Sequence, residues 1–557
     1  MRERLSTHVV FWIVLIGFSI LWFYGLGART LVPTDEGRYA EMAREMVATG
    51  DWITTRLNGI KYFEKPPLQV WMNAITFELF GLGEWQARLW TGLCGLLGIA
   101  AVSYTGRKVF DARVGLDAAL VLGSSLLWVA LGHINTLDMG LSAMMTVSLC
   151  ALLVAQHNDA STRARKIGML VCWAGMALAV LSKGLIGVVL PGAVLVVYSI
   201  AARDGSIWLR LHLGIGLLVF FAIAAPWFVL VSLQNPEFPH FFFIHEHFQR
   251  FTSKIHHRAG PIYYFIPILL LGIIPWLGLL AQSLWQGMRR EGAGFQPKML
   301  LLIWTAFIFF FFSISSSKLP SYILPIFPAL ALLIACYLQQ VSRRTFMINA
   351  GLLLLLGVVG LALLDRLPRL SQTTFDLPLY RAYTPWIAAA AGIAIWGGIA
   401  ALALARRNLR LATVVIAVAG YCAVQALMLG HDPLGRYASG IDHVAAINAE
   451  LTPQTVIYAV DRYEQALPFY LRRTMTLVDH TDELEFGLQQ QPALWIPTID
   501  GFLTIWLEGH ATGRNAIAIM PPATYADLTQ RGVPMRVIGQ DPRRVIVSNQ
   551  LKRPPSP

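Results

Sequence analysis

The sequence predicts a polytopic α-helical membrane protein with a small α/β domain at its C-terminal end. Three observations carry this. Apolar residues make up 56% of the 557 and charged residues only 14%, at a mean hydropathy of +0.56; soluble domains carry more charge than that. Apolar stretches of about 18–25 residues, long enough to span a hydrocarbon core of about 30 Å, recur between residues 9 and 430. From about residue 431 the composition becomes ordinary, with short β-branched runs at 456–460, 516–520, 535–538 and 544–547 read as strands, and helical segments at 440–451 and 463–471 between them.

The spans are read at 9–26, 88–106, 114–132, 138–156, 167–183, 184–202, 211–233, 261–285, 299–315, 320–339, 346–364, 384–405 and 411–430, about thirteen helices by the length rule. The first lacks a small-residue cleavage site and ends in Trp22 and Tyr24, so it is read as an anchor rather than a cleaved signal. Alternate loops are short and basic, among them those with Arg107 and Lys108, Arg163 and Arg165, Arg343 and Arg344, and Arg406 and Arg407. Such loops face the cytoplasm. The first long loop, the loop at 234–260 and the tail then share the outer face. The division is residues 1–430 for the membrane domain and 431–557 for the outer α/β domain.

A net charge of +12 would suggest nucleic acid in a soluble chain; here it reflects basic loops on one face and an anionic-lipid site. The five cysteines all lie in apolar runs, with no Cys/His metal spacing and no placement for an exposed disulfide.

Chemistry-bearing residues gather on the outer face. Thr34 suits the N-cap of a helix running to Thr49, with Gly50 as its stop. Tyr39, Met42, Ala43, Met46 and Val47 form one apolar stripe, expected to lie in the membrane interface. Asp35 falls in the first turn, where the helix dipole favours a carboxylate, and Arg38 shares its side. The pair is either a catalytic carboxylate with its cation or a cap and ion pair that anchors the helix. Tyr62, Glu64 and Lys65 precede Pro66-Pro67, which open a second helix over residues 68–80; a membrane-surface turn with a snorkelling lysine is the plainer reading.

The third outer loop runs from Phe241 through His245, Glu246, His247 and Arg250 to Lys254, His256, His257 and Arg258. It is either a phosphate-binding rim or an aromatic belt with interfacial cations. His245 with Glu64 can hold a divalent metal, Zn²⁺ or Mn²⁺. Asp138, at a helix mouth on the same face, is a site candidate or an N-cap. Lys183 and Lys318 each bind a phosphate or snorkel.

At these residues the chain resembles the membrane-embedded C-type glycosyltransferases that use polyprenyl-phosphate sugars, the group containing the protein O-mannosyltransferases. Within that group it is most similar to the 4-amino-4-deoxy-L-arabinose lipid A transferases of Gram-negative bacteria. The matching stretches include Asp35-Glu36-Gly37-Arg38-Tyr39, Phe63-Glu64-Lys65-Pro66-Pro67, Ser182-Lys183-Gly184, Arg250-Phe251, His257-Arg258-Ala259-Gly260-Pro261, Pro275-Trp276 and Lys318-Leu319-Pro320-Ser321-Tyr322. They cover residues 1 to about 430; the outer tail is where such enzymes diverge most.

The resemblance implies a C-type glycosyltransferase fold and an inverting pentosyltransferase in the bacterial inner membrane, with its site and C-terminal domain in the periplasm. Its partners would be an undecaprenyl-phosphate-linked sugar, lipid A and membrane lipids, with no nucleic acid; a monomer is expected. Asp35 would be the main catalytic carboxylate, with Asp138 beside it. Tyr62, Glu64, Lys65, Asp138, His245 and Arg250 would line the donor-phosphate and sugar cavity; Arg38, Tyr39, Lys183, Lys318 and Tyr322 are read beside them as further substrate-binding residues. The pattern fixes no cofactor; either a divalent metal (Zn, Mn or Mg) at Glu64 and His245, or Lys65 and Arg250, would stabilise the leaving phosphate. Two other readings stand beside this one: protein O-glycosylation from a polyprenyl-phosphate sugar, and an anionic-lipid transporter. A transporter would place ionisable residues near the midplane with inverted repeats, whereas here the charges cluster at one face.

Overall fold

In lipid a chain must satisfy its backbone internally, so apolar stretches become helices. The computed structural model describes residues 2–249, 260–290, 294–371 and 373–551. Every apolar stretch read above falls on helix. Among the described residues nine helices are long and apolar enough to cross a membrane, and Leu15–Gly27 and Ile186–Ala202 are shorter apolar helices. The chain is a multi-pass membrane protein.

Two stretches read as continuous spans are broken. Ala112–Ser124 stops at Ser125 before Leu126–Leu131. Phe265–Gly272 and Leu277–Gly287 meet at 108°, at Pro275, which has no N–H to continue a helix. The two breaks dock on each other. Leu126 N donates to Ile274 O at 3.0 Å, and Trp276 Nε1 donates to Ser124 Oγ at 2.9 Å. Asn349 Nδ2 donates to Pro275 O at 3.1 Å, and Asn349 Oδ1 accepts from Gly278 N at 2.9 Å. Hydropathy sees only apolar length; broken backbone survives inside a bundle where other protein groups satisfy it.

The helix Leu409–Gly430 leads through Asp432–Ser439 into the C-terminal domain. Before it, the first loop contributes a small hairpin, β1 (Arg56–Leu57) and β2 (Ile60–Lys61). The domain itself is a six-stranded sheet of β3 (Val456–Val460), β4 (Thr476–Val478), β5 (Trp495–Ile496), β6 (Ala516–Met520), β7 (Arg536–Asp541) and β8 (Arg544–Ser548). The strand order is β5-β4-β3-β6-β8-β7, with β8 antiparallel to β6 and β7 and the other pairs parallel. The short strands β4 and β5 carry too few residues to show a period of two in sequence.

Side chains alternate across this sheet. Tyr458, Val460, Ala518 and Val547 pack with Phe502, Trp506 and Leu528 of the covering helices. Ile457, Ala459, Leu477, Ile517 and Ile519 pack instead with Tyr39, Met42, Ala43 and Met46. The apolar stripe of the Asp35–Thr49 helix is therefore buried under the C-terminal domain, not in the membrane interface as its amphipathicity suggested. Every residue from Glu36 to Met46 is buried. Gly37 marks the closest approach: a Cβ there would lie 2.7 Å from Ala466 Cα and 2.8 Å from Gln465 O.

Candidate active site

The helix Asp35–Thr49 ends as its sequence requires, with Gly50 in the left-handed region at φ 70° and its N–H on Met46 O. Its start differs from expectation. Thr34 holds the N-cap position but makes no side-chain cap. The first turn is held by Glu36, whose carboxylate accepts from Val32 N at 2.9 Å, Asn135 N at 2.9 Å, and Arg88 Nε and Nη2 at 2.6 and 2.9 Å. The fully buried Arg88 also donates to the carbonyls of Leu26, Arg29 and Thr30. Burial pushes the Glu36 carboxyl up, but the charge and hydrogen bonds of Arg88, with Arg29 behind, outweigh it and bring it down to about 2.

Asp35, one residue earlier, stays 40% exposed with a carboxylate oxygen 3.6 Å from Arg38 Nη1. Arg38 is buried and reaches across to the C-terminal domain. It lies 2.7 Å from Glu483 and donates to Gln465 Oε1 at 3.1 Å and to the Tyr62 hydroxyl at 3.2 Å. Gln465 Nε2 in turn donates to Glu483. Burial alone would depress the Arg38 guanidinium; Tyr62, Glu483, Tyr39 and Asp35 more than offset it. Burial raises both Tyr39 and Tyr62, helped most by Asp35 and by Glu64 respectively, so both keep their hydroxyl protons. Glu483 is pushed up to about 7 by burial against the pull of Arg38, with Glu64, Asp482 and Asp35 adding repulsion.

A second ion pair lies on the membrane helices. Asp138, in the first turn of Leu137–Gln156, pairs with Lys183 at the end of Thr162–Lys183. Lys183 Nζ sits 4.6 Å above the Tyr322 ring. So Asp138 is an ion-pair partner rather than a simple helix cap, and Lys183 does not snorkel.

Lys65 forms the third group. Its Nζ donates to Glu64 O at 2.8 Å and lies 3.2 Å from Glu246 Oε2 and 3.9 Å from Glu64 Oε2. His245 Nδ1 is 3.8 Å from Glu246, and its ring stacks on Phe241, itself stacked on Phe486 of the C-terminal domain. Among the described residues no three His, Cys, Asp or Glu side chains are grouped as metal ligands.

Lys318 takes a different place from the others. Its Nζ donates to Phe312 O, Ser313 O and Ser315 O at 3.3, 2.7 and 3.0 Å, closing the end of Pro297–Ile314. Arg250 and the 251–259 segment lie outside the described residues. Glu483, Gln465 and Arg88 are the site residues that sequence reasoning missed. Arg88 opens the apolar stretch at 88–106, and a charged residue at the mouth of such a helix is itself a signal; Glu483 and Gln465 carry no local signal.

Comparison with known proteins follows the same division. A family model described as the aminoarabinose transferase C-terminal domain matches residues 443–549, the tail expected to be most divergent. One described as dolichyl-phosphate-mannose-protein mannosyltransferase matches residues 64–230. An undecaprenyl phosphate-alpha-4-amino-4-deoxy-L-arabinose arabinosyl transferase of Proteus mirabilis is 34% identical over 411 residues, 71% of this chain and 72% of that one. The protein of that name from Edwardsiella ictaluri is 33% identical over 361 residues; the aligned part is 63% of this chain and 64%, under two thirds, of the relative. The crystal structure of ArnT from Cupriavidus metallidurans bound to undecaprenyl phosphate is 42% identical, with a TM-score of 0.93 over 98% of both chains. Its apo state superposes at a TM-score of 0.92, again over 98% of each chain.

A helical membrane domain whose carboxylates and cations meet at one end beneath an α/β domain has the architecture of a C-type membrane glycosyltransferase. Within that class, the chain belongs to the undecaprenyl phosphate-4-amino-4-deoxy-L-arabinose arabinosyltransferase family.

Proposed function

We propose that this chain moves 4-amino-4-deoxy-L-arabinose from undecaprenyl phosphate to the phosphate groups of lipid A, at the periplasmic face of the bacterial inner membrane. The observation that carries the reading is the presence of two ion pairs, Asp35–Arg38 and Asp138–Lys183, at the ends of helices on the outer face, with Arg38 also tied to Glu483 of the C-terminal domain. The similar chain with undecaprenyl phosphate bound supports the donor. The alternating basic loops support the orientation.

When the glycosidic bond breaks, negative charge gathers on the undecaprenyl phosphate. Lys65, whose side chain is 20% exposed, is assigned to that charge together with Arg250. The acceptor phosphate is already ionised near neutral pH, so Asp35 is assigned to orienting the acceptor and the sugar ammonium rather than to removing a proton. Glu64 and Asp138 add negative charge facing that ammonium. Tyr39, Tyr62 and Tyr322 supply hydroxyls and ring faces around the sugar. Attack is in line and inverts the anomeric centre.

The test is transfer in detergent from the lipid-linked aminoarabinose to lipid A, read by mass spectrometry, with Asp35→Asn and Lys65→Ala as controls. Addition of a cationic sugar masks lipid A charge, so cells expressing the protein should resist polymyxin and the two variants should not. The mannosyltransferase match at residues 64–230 favours one other reading, protein O-glycosylation. Unmodified lipid A with a hexose gained by a periplasmic protein would establish that reading instead. A periplasm-dependent reporter fused to the C-terminus should be active; a silent reporter with a working cytoplasmic control would overturn the orientation.

A further inference from the structure

Beneath the Asp138–Lys183 pair, three polar side chains converge on the bare face of Gly140. A Cβ on Gly140 would lie 3.6 Å from Trp90 Nε1, 3.7 Å from Gln69 Oε1 and 3.7 Å from Ser182 Oγ. Gly140, Gln69 and Ser182 are buried, Gln69 at 1% exposure. Trp90 Nε1 and Gln69 Oε1 are buried without a hydrogen-bond partner among the described residues. Ser182 Oγ donates to Leu178 O at 2.8 Å, which leaves its lone pairs to accept. The three atoms are therefore one donor and two acceptors around a space that only glycine leaves open. An unpaired buried donor or acceptor is costly, and a buried water resolves such a set when two to four polar partners surround it.

We infer that Gly140 keeps open a binding site for one buried water, which accepts from Trp90 and donates to Gln69 and Ser182. The site matters because of what its partners hold. Gln69 Nε2 donates to Asn135 Oδ1 at 2.8 Å, and Asn135 N donates to Glu36 Oε1 at 2.9 Å. Gly140 is two residues beyond Asp138, and Ser182 immediately precedes Lys183. The water thus links the turn that carries Asp35 to the two helices that carry Asp138 and Lys183. Gln69, Trp90 and Ser182 are positioning residues.

Gly140→Ala separates this from a dry, merely structural polar cluster by the sign of its effect. The methyl fits, because its contacts are ordinary van der Waals distances and the backbone is helical. Alanine is also the better helix former. A dry cluster therefore predicts a higher Tm for Gly140→Ala in detergent. Displacement of the water predicts a fall of about 2 °C or more, with restoration in Gly140→Ser, whose hydroxyl takes the water's place. An ordered water within hydrogen-bond distance of all three atoms should appear in a high-resolution map of the wild-type protein. It should vanish in Gly140→Ala. The kinetic arm rests on the transferase reading; the thermal and crystallographic arms do not, so their failures are distinguishable. In that arm kcat falls in Gly140→Ala, KM for the lipid-linked sugar is unchanged, and Gly140→Ser recovers the rate. A raised Tm in Gly140→Ala, a wild-type map without the water, or an unchanged Tm with a raised KM would overturn the inference, the last by assigning the three atoms to a sugar hydroxyl.

Discussion

Asp35 and Glu36 are neighbours of the same chemical type with opposite surroundings. Glu36 faces the membrane helices, where Arg88 saturates both of its oxygens and burial closes it from solvent. Asp35 faces the junction with the C-terminal domain, partly exposed, with one cation 3.6 Å away that is itself shared with Glu483 and Tyr62. The closed pair fixes where the helix begins. The open one is left with unsaturated oxygens that can meet a substrate. A saturated buried ion pair provides position, and an incompletely satisfied one at its edge provides chemistry.

Breaking the closed side should have the largest effect. Arg88→Met leaves the Glu36 carboxylate buried without its cation, a loss of about 3–5 kcal/mol for such pairs. The expected result is low yield and a large drop in Tm, partly recovered by Glu36→Gln in the same chain, where no charge is left unpaired. An Arg88→Met protein as stable as the wild type would show that the helix start is held by something else.

The open side should separate activity from folding. Thr34 does not cap the helix, so its start rests on Glu36 and Arg88 and does not need the Asp35 charge. Asp35→Asn should lower transfer by about 10²-fold, the loss expected when a group that orients the reactants is removed, at an unchanged Tm. Transfer near the wild-type rate would make Asp35 structural and erase the contrast with Glu36.

The roof over the open side can be lifted on its own. Gly37→Ala drives a methyl against the Ala466 backbone at 2.7 Å, an overpacking loss of about 1–3 kcal/mol. Protease nicking of the C-terminal domain should quicken and transfer should fall, because Glu483 and Gln465 move away from Arg38. Unchanged proteolysis would mean that the interface yields elsewhere.

The smallest effect is a pH dependence of opposite sign on the two sides. Glu36 is depressed from its ordinary 4.5 to about 2, so its contribution to stability is present above pH 4.5 and is lost as pH falls toward 2. Glu483 is raised from 4.5 to about 7. The folded state then binds the extra proton, and stability declines as pH rises from about 4.5 to about 7. Glu483→Gln should flatten that decline in a Tm-versus-pH series without touching the acid limb, while Glu36→Gln should flatten the acid limb only. A single variant that altered both limbs would mean that the two carboxylates titrate together.

Much of this architecture is legible in the chain. The helices over 35–49 and 68–80, the glycine stop at Gly50 and the apolar stretches follow from local periodicity, end signals and length. So does the gathering of Asp35, Arg38, Lys65 and Asp138 at helix mouths, because charged residues in an apolar chain have few places to go. Periodicity reveals that Tyr39, Met42, Ala43 and Met46 share one face. It says nothing of whether lipid or protein covers that face, since both present the same apolar surface.

That cover was decided by tertiary structure, as were the partners of the site. Arg38 finds Gln465 at a separation of 427 residues, and Glu483 arrives from the same distant domain. Lys318 looks from sequence like Lys183, another lysine ending an apolar stretch. Folding places one on three backbone carbonyls and the other against Asp138 and Tyr322. Helices and their ends are set by interactions within a few residues, which a linear reading contains. A catalytic arrangement is set by which surfaces pack together across the whole chain, and that depends on shape and burial no local window of sequence holds.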